Sequence, residues 1–195
     1  MNESFVDETG RTISLKDPWT AAFLAWLLPG LGHWYQGRRE KAVLFLTCIL
    51  GTFLYGCYLG GNSELGYARV VYYSFRPGDT RLYYLCQVGV GFPALPAIVQ
   101  AMRVRQGKPA LWNNFMAPPR LGSDDRDPPT LDRLNYELHS YFDLGSLFTA
   151  VAGLLNILVI FDAWGGPVFP EPKRPPEPEG RDNAQAKGED QASPA

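Results

Sequence analysis

Residues 144–164 read LGSLFTAVAGLLNILVIFDAW, a run of 21 residues whose only formal charge is Asp162. Three further windows, residues 18–36, 42–60 and 82–102, carry no formal charge at all. A helix needs about 20 consecutive, mostly apolar residues to cross a hydrocarbon layer about 30 Å thick, and each window has nearly that length. The pattern therefore predicts an all-α integral membrane protein with about four transmembrane helices.

The average composition hides this segregation of charge. The 195 residues are 46% hydrophobic and include 18 Lys and Arg against 20 Asp and Glu, which is typical of a soluble domain. A formal net charge of −2 with scattered basic residues gives no electrostatic footprint for nucleic acid. All three cysteines lie in apolar windows and the chain has two histidines, so we expect no disulfide framework, metal site or cofactor.

The windows divide the chain into seven segments. We predict a polar N-terminal arm at 1–17, a transmembrane helical hairpin at 18–60, an interfacial loop at 61–81, a third transmembrane helix at 82–102, a polar loop with an amphipathic helix at 103–143, a fourth transmembrane helix at 144–164 and a disordered tail at 165–195. The tail is rich in Pro, Glu, Gln and Ala and lacks apolar periodicity. The four acids of the arm predict no cleavable signal peptide.

The first window contains a helix-breaking stretch, PGLG at residues 29–32. We therefore expect a kinked span that ends near Gly37. Aromatic residues favour membrane interfaces, which would place Trp19 at one interface and Trp34 and Tyr35 at the other. A re-entrant segment is the alternative, because the apolar length barely suffices for a span.

The third window contains Gly89, Gly91, Pro93 and Pro96, which predict a bend or break near its middle. Broken membrane helices can mark transport sites, and they can equally be packing kinks.

The second window contains two glycines four residues apart, Gly56 and Gly60. This pair either lets another helix approach closely or ends the helix.

The fourth window places small residues and one amide on a single stripe, because seven residues return a helix nearly to its starting face. Small residues with one polar group are typical of a helix-packing seam. The members of the stripe are Gly145, Thr149, Ala152, Gly153 and Asn156.

Two polar segments carry apolar residues that we expect at the membrane surface. Aromatic residues and arginines occur together in 61–81, which predicts contact with lipid headgroups. After Thr130, a plausible N-cap, a helical spacing predicts an amphipathic helix that lies on the membrane. Its apolar residues are Leu131, Leu134, Leu138, Tyr141 and Phe142.

Basic residues near the spans are nearly balanced between the loops, so the orientation rests on the two tightest clusters. In a four-span arrangement both clusters fall on the same side, which we assign to the cytoplasm, with both termini outside. The clusters are Arg38-Arg39-Lys41 and Arg103-Arg105-Lys108.

Few residues in the windows have side chains that could bind an ion, exchange a proton or bind a lipid headgroup. Asp162 is a functional candidate because an acid in hydrocarbon is costly, but near a helix end it can instead reach water or pair with a basic loop residue. Asn156 either bonds across helices or binds an ion, and Gln87 and Gln100 raise the same choice. His33 could titrate or bind a headgroup, or cap the neighbouring helix break. No catalytic or phosphate-binding motif occurs, so we predict that the protein is not an enzyme.

The stretch AWLLPGLGHWYQGRREKA at residues 25–42 resembles the helical hairpin of TM-two domain proteins, although their Asp-Arg-Phe turn is absent. The segments FMAPP at 115–119 and FTAVAGLLN at 148–156 look like those of an uncharacterised bacterial inner-membrane family that shares this hairpin. The resemblance implies a multi-pass protein of the bacterial cytoplasmic (inner) membrane, and it implies no activity.

Two functions fit these observations. The first is a non-enzymatic scaffold or accessory subunit of a membrane complex, embedded in the lipid bilayer and bound to a membrane-protein partner or to itself. The alternative is a small transporter or channel that uses the broken third helix with Asp162 and Asn156. The candidate functional or helix-packing residues are Pro29, Gly30, Gly32, His33, Tyr35, Gly37, Arg38, Gly153, Asn156 and Asp162.

Overall fold

The computed structural model of the chain describes residues 3–6, 12–15, 17–77, 79–120 and 128–166, and it is mostly helical. The predicted disordered tail lies outside the described residues from 167 onward. In chain order the elements are the antiparallel strands Glu3–Val6 and Thr12–Leu15, the helices Pro18–Leu27, Leu31–Tyr35 and Arg39–Leu59, the antiparallel strands Phe75–Arg76 and Asp79–Thr80, the helix Tyr83–Gln87, the 3-10 turns Val88–Val90 and Phe92–Ala94, and the helices Pro96–Arg105, Leu131–Leu138 and Ser140–Gly165.

Two helices are long and apolar enough to cross a membrane. Arg39–Leu59, here the outer helix, has 21 residues and a mean hydropathy of 2.0, and Ser140–Gly165, here the central helix, has 26 residues and a mean hydropathy of 2.2. At a rise of about 1.5 Å per residue they are about 30 and about 40 Å long. The windows 18–36 and 82–102, by contrast, do not form continuous helices.

The two long helices are antiparallel. Gly56 of the outer helix lies against Gly145 near the beginning of the central helix, and Arg38, just before the outer helix, reaches Asp162 near the end of the central helix. A Cβ on Gly56 would lie 2.8 Å from Cγ2 of Thr149, so the absence of a side chain permits this close approach. The glycine at the end of the outer helix also lies beside Gly145, and it packs against a loop as well, so both glycines of the predicted pair let the central helix approach closely.

Residues 17–38 form what we call the first folded-back segment. The Asp17 carboxylate accepts from the backbone N–H of Thr20 at 3.3 Å and so starts the helix Pro18–Leu27. The chain then reverses at Gly30, whose φ of +85° favours glycine. The short helix Leu31–Tyr35 runs back along the first, and Gly32 packs directly on the backbone oxygen of a residue in it.

Both ends of this segment lie at the C-terminal end of the central helix. The Trp19 ring lies 5.6 Å from the Trp164 ring, and the helix Leu31–Tyr35 reaches Asp162 through His33. Since Asp162 and Trp164 are two residues apart, the segment begins and ends beside the same turn of the central helix.

This arrangement corrects one sequence prediction. Trp19 does not lie at the opposite end from Trp34 and Tyr35, because the Pro29-Gly30 pair reverses the chain instead of kinking a continuous helix. The geometry agrees with the alternative of a re-entrant segment.

Residues 82–105, the second folded-back segment, begin at the other end of the central helix. Just before it, Nη2 of Arg81 donates to Oγ of Ser146 at 2.5 Å. The chain reverses at Gly91, where φ is +87°. The Tyr84 hydroxyl donates to the Ala94 carbonyl at 3.0 Å across this reversal, so the predicted break in the third window is a turn between two short helical arms.

The tips of the two folded-back segments touch each other beside the middle of the central helix. A Cβ on Gly91 would fall on the carbonyl oxygen of Trp26, which belongs to the last turn of Pro18–Leu27. The returning helix Pro96–Arg105 then brings Arg105 to the same cavity as Arg76, at the end where the segment began. The fold is therefore two long helices and two short folded-back segments that enter from opposite ends.

The predicted amphipathic helix is present as Leu131–Leu138, after Thr130, but its apolar face does not lie on the outside. Leu134 and Leu138 are buried in the main hydrophobic core of the protein. The expectation of a membrane-surface helix is wrong because the polypeptide itself covers this face.

This helix also ends earlier than the spacing predicted. His139, with φ of +47°, separates it from the central helix, so Tyr141 and Phe142 belong to the first turn of the latter. Here Phe142 is buried and Tyr141 is exposed.

The loop after the outer helix is likewise folded onto the protein. Val70, Val71 and Tyr72 are buried in the same core, whereas Tyr73 and Phe75 are exposed. The prediction of a segment that rests on headgroups is therefore wrong for its buried half, because the residues after the outer helix pack against that helix.

The two basic clusters lie at opposite ends of the long helices. Arg38 contacts Asp162 near the end of the central helix, whereas Arg105 lines a cavity with Arg76 beside its beginning. They do not share one end of the bundle, as the four-span arrangement predicted, because the third window turns back on itself.

Candidate functional site

The acid of the fourth window is paired with two residues of the first folded-back segment. Nε2–H of His33 donates to Oδ2 of Asp162 at 2.6 Å, the direction that a carboxylate acceptor requires. Nη1 of Arg38 forms an ion pair with the same oxygen at 3.3 Å. The His33 and Arg38 side chains are 0% and 4% exposed, whereas the Asp162 side chain is 28% exposed. The carboxylate is therefore partly open to the outside, and its two partners are buried in the protein.

Local structure explains how these residues meet. Gly30 allows the reversal that brings His33 back to the central helix, and the outer helix begins directly after Arg38. An aspartate near the carboxyl end of a helix is unfavourable because the helix dipole is negative there. The Arg38 guanidinium compensates for this charge. The cluster is thus a polar clasp that holds the first folded-back segment to the central helix.

A second contact of this clasp was not foreseen. Nε2 of Gln36 donates to the backbone oxygen of Ala163 at 2.6 Å, and both residues are buried. The only sequence signal was the position of Gln36 near His33 in the turn before the outer helix.

Asn156 joins both folded-back segments. Its Nδ2 donates to the carbonyl oxygen of Ala25 at 3.1 Å and to that of Gly89 at 2.8 Å. Carbonyls at helix ends lack intrahelical partners, and the breaks in the two segments create such ends inside the protein. Asn156, which is fully buried, therefore supplies donors where the broken helices need them.

The predicted seam is the surface on which these contacts are made. Thr149, Ala152, Gly153 and Asn156 are fully buried or nearly so. A Cβ on Gly153 would fall on the carbonyl oxygen of Cys86, so the second folded-back segment touches the central helix backbone to backbone. This contact gives Gly153 a packing role.

The two glutamines of the third window also hold the chain together. Nε2 of Gln87 donates to Oγ1 of Thr149 at 2.8 Å, and Gln100 exchanges hydrogen bonds with the backbone of Leu111 at 2.8 and 2.9 Å. Gln87 thus makes the bond across helices that was one of the two predicted alternatives, whereas Gln100 bonds to a loop, which the sequence did not predict.

Sequence reasoning missed two arginines that reach into the protein, Arg69, which is buried, and Arg81, which is partly buried. Arg69 is fully buried and its Nη1 donates to the carbonyl oxygen of Asn114 at 2.9 Å. Arg81 lies over the rings of Tyr72 and Phe142 at 4.8 and 5.1 Å. Nothing in the sequence distinguishes them from exposed loop arginines, because Asn114 and Phe142 lie far along the chain from them.

Burial alters the acid-base behaviour around Arg81. It lowers the pKa of the Arg81 guanidinium from its usual value, and it raises the pKa of the Tyr72 phenol to about 12. Arginine remains charged under these conditions, so Arg81 enters the core as a cation held between aromatic rings.

The remaining candidates shape the backbone. Gly30 and Gly37 both have φ of +85°, and Gly32 packs on backbone atoms. Pro29 and Tyr35 lie at the reversal and in the returning helix. Among the residues that the structure describes, no group of three or more His, Cys, Asp or Glu side chains could hold a metal ion.

Fold and clasp together define a class: a mostly helical protein with two candidate membrane-spanning helices, braced internally by polar contacts. Residues 20–176 match a family of unknown function, DUF6677. The chain belongs to that family. No curated protein and no solved structure matches the chain.

Proposed function

We propose that the protein is an integral membrane protein with two spanning helices and two re-entrant segments, and that it is a non-enzymatic scaffold or accessory subunit of a membrane complex. The resemblance of residues 25–42 to the TM-two hairpin supports a place in the bacterial cytoplasmic (inner) membrane.

The exposure of the long helices supports membrane insertion. Only 28% of the most apolar window of the outer helix and 44% of that of the central helix are buried. A core helix of a soluble protein is mostly buried, and soluble monomers rarely expose large contiguous apolar patches. Here the central helix exposes Leu147, Leu154, Leu158 and Phe161.

The lengths of the folded-back segments support re-entry. Pro18–Leu27 has 10 residues and is therefore about 15 Å long, half of the hydrocarbon thickness. Non-helical backbone at that depth must be covered by protein, and Asn156 and the glycine contacts provide such cover.

One observation carries the scaffold role: the polar side chains of the windows that could serve chemistry are bonded to other parts of the chain. Asp162 is paired with His33 and Arg38, and Asn156 and Gln87 bond across the seam. Side chains bound in this way position the fold, which leaves the apolar helix faces and the loops to bind partners.

The test is crosslinking in the native membrane, followed by purification of the tagged full-length protein in mild detergent and mass spectrometry. We expect a stoichiometric membrane-protein partner, enriched over an uncrosslinked sample and over a tagged two-span protein of equal abundance. Self-crosslinks alone, reproduced in several detergents, would contradict an accessory role.

One arrangement favours transport as the second candidate. Two folded-back segments from opposite ends meet at Asn156, and Oδ1 of this buried side chain has no hydrogen-bond partner in the described part of the chain. Broken helices that meet near the midplane are typical of binding sites for ions and substrates in transporters.

This candidate predicts a flux that depends on the clasp. Asp162→Asn should abolish proton flux into proteoliposomes, read with an entrapped pH-sensitive dye under a potassium diffusion potential, while the protein stays folded and inserted. Glu64→Gln, which changes an exposed loop acid, is the control. Normal flux in Asp162→Asn, or none in the unmodified protein, removes this candidate.

A further inference from the structure

A cavity of about 490 Å³ lies between the strand turn after Tyr73 and the helix Pro96–Arg105. This position is the end at which the second folded-back segment enters and leaves. In the proposed membrane arrangement, such an end lies at the level of the lipid headgroups, since the adjoining helices cover the depth of the hydrocarbon.

The charged side chains of this cavity are both cationic. Arg76 and Arg105 line it, and no Asp or Glu side chain among the described residues does. Within those residues neither arginine side chain makes a hydrogen bond or ion pair, although the backbone of Arg76 belongs to the strand pair and that of Arg105 to the helix. Asp79, in the same strand pair, is buried and accepts a hydrogen bond from the Tyr72 hydroxyl at 3.3 Å, so it is already engaged.

The rest of the cavity wall is largely apolar and open to the outside. Phe75, Ile98 and Met102 line it, and Phe75 and Met102 are 45% and 59% exposed. A cavity with two guanidinium groups beside an apolar wall matches a molecule with an anionic head and a hydrocarbon chain. Guanidinium groups bind phosphate oxygens in a fork geometry, and basic pockets beside membrane helices bind anionic lipid headgroups.

We propose that this cavity binds an anionic phospholipid, with the phosphate on Arg76 and Arg105 and an acyl chain along Ile98 and Met102. The proposal rests on the membrane insertion proposed above and is independent of the scaffold role. The bound lipid fixes the end of the second folded-back segment relative to the strand turn.

The test uses delipidated full-length protein in mild detergent, titrated with phosphatidylglycerol, phosphatidylcholine or inorganic phosphate and read by native mass spectrometry. We expect phosphatidylglycerol to bind at least ten times more tightly than phosphatidylcholine, and phosphate alone not to compete. Arg76→Gln and Arg105→Gln should each weaken phosphatidylglycerol binding about fivefold, and the double variant about 25-fold.

Lys108→Gln is the matched control, because Lys108 is an exposed cation near the same end that does not line the cavity. Thermal unfolding of each variant verifies that it is folded, and exposed Met102→Ser provides a second, uncharged change that should weaken binding of the acyl chain. Equal binding of the two lipids, an unchanged double variant, or an equal loss in Lys108→Gln would overturn the lipid site. Competition by free phosphate would assign the cavity to a soluble anion instead.

Extraction of the membranes with alkaline carbonate separates this proposal from the one on which it rests. Release by carbonate with selective lipid binding retained would overturn membrane insertion alone. Resistance to carbonate without selective binding would overturn the lipid site alone.

Discussion

Replacing Gly91 with alanine should lower the free energy of unfolding by about 3 kcal/mol or more. Gly91 has φ of +87° and ψ of −131°, a conformation that residues with a Cβ rarely adopt. An added Cβ would also fall on the carbonyl oxygen of Trp26, at the point where the two folded-back segments touch. Backbone atoms cannot move away as a flexible side chain can. The conformational strain at residue 91 and the steric overlap with Trp26 therefore both destabilise the folded protein.

Gly107→Ala is the matched control for this prediction. Gly107 also has a positive φ, +72°, but an added Cβ would meet nothing within 4 Å. Gly107→Ala should lower the free energy of unfolding by about 1 kcal/mol, which is the penalty for the left-handed backbone alone. Titration with SDS in mixed micelles, followed by tryptophan fluorescence, measures both variants. Similar losses for the two would show that the tips of the segments are not in contact.

Cysteine labelling should place residues 16 and 39 on one side of the membrane and residues 63 and 106 on the other. In the structure the first folded-back segment returns to the end where it began, and so does the second. A chain with four complete spans would instead pair residue 16 with 63 and residue 39 with 106. The two arrangements therefore predict different pairs of residues on the same side of the membrane, and each thiol is either labelled or not labelled.

The experiment uses Lys16→Cys, Arg39→Cys, Ser63→Cys and Gln106→Cys singly, in intact cells or sealed vesicles, with a maleimide that does not cross membranes. The native cysteines must first be replaced by alanine: Cys48, Cys57 and Cys86. Labelling after detergent lysis controls for access to each thiol. The four-span pairing would contradict the re-entrant segments and, with them, the arrangement around Asn156.

Much of the local structure could be predicted because its causes lie within a few residues. Asp17 and Thr130 cap the helices that follow them, and Gly30 and Gly91 occupy the reversals in the two windows where breaks were expected. The seam of small residues also follows from spacing along one helix, since helical periodicity is a local property.

The polar contacts of the site could not be paired from the sequence. His33 and Asp162 are 129 residues apart, and Arg81 is 65 residues from Ser146. Such pairs depend on how segments fold back and pack. Asp162 was recognisable as an acid that required a partner, but neither its spacing nor its surroundings identified His33 and Arg38.

The sequence by itself determined which segments are apolar, where the helices capped by Asp17 and Thr130 begin and where the chain breaks. The tertiary structure decided that two windows turn back, that the basic clusters lie at opposite ends, and that Leu134 and Leu138 face the core. The physical reason is that hydropathy records whether a residue avoids water and does not record what replaces the water. Lipid and protein interior are both apolar, so only packing distinguishes a span from a re-entrant arm, or a membrane-facing surface from a buried one.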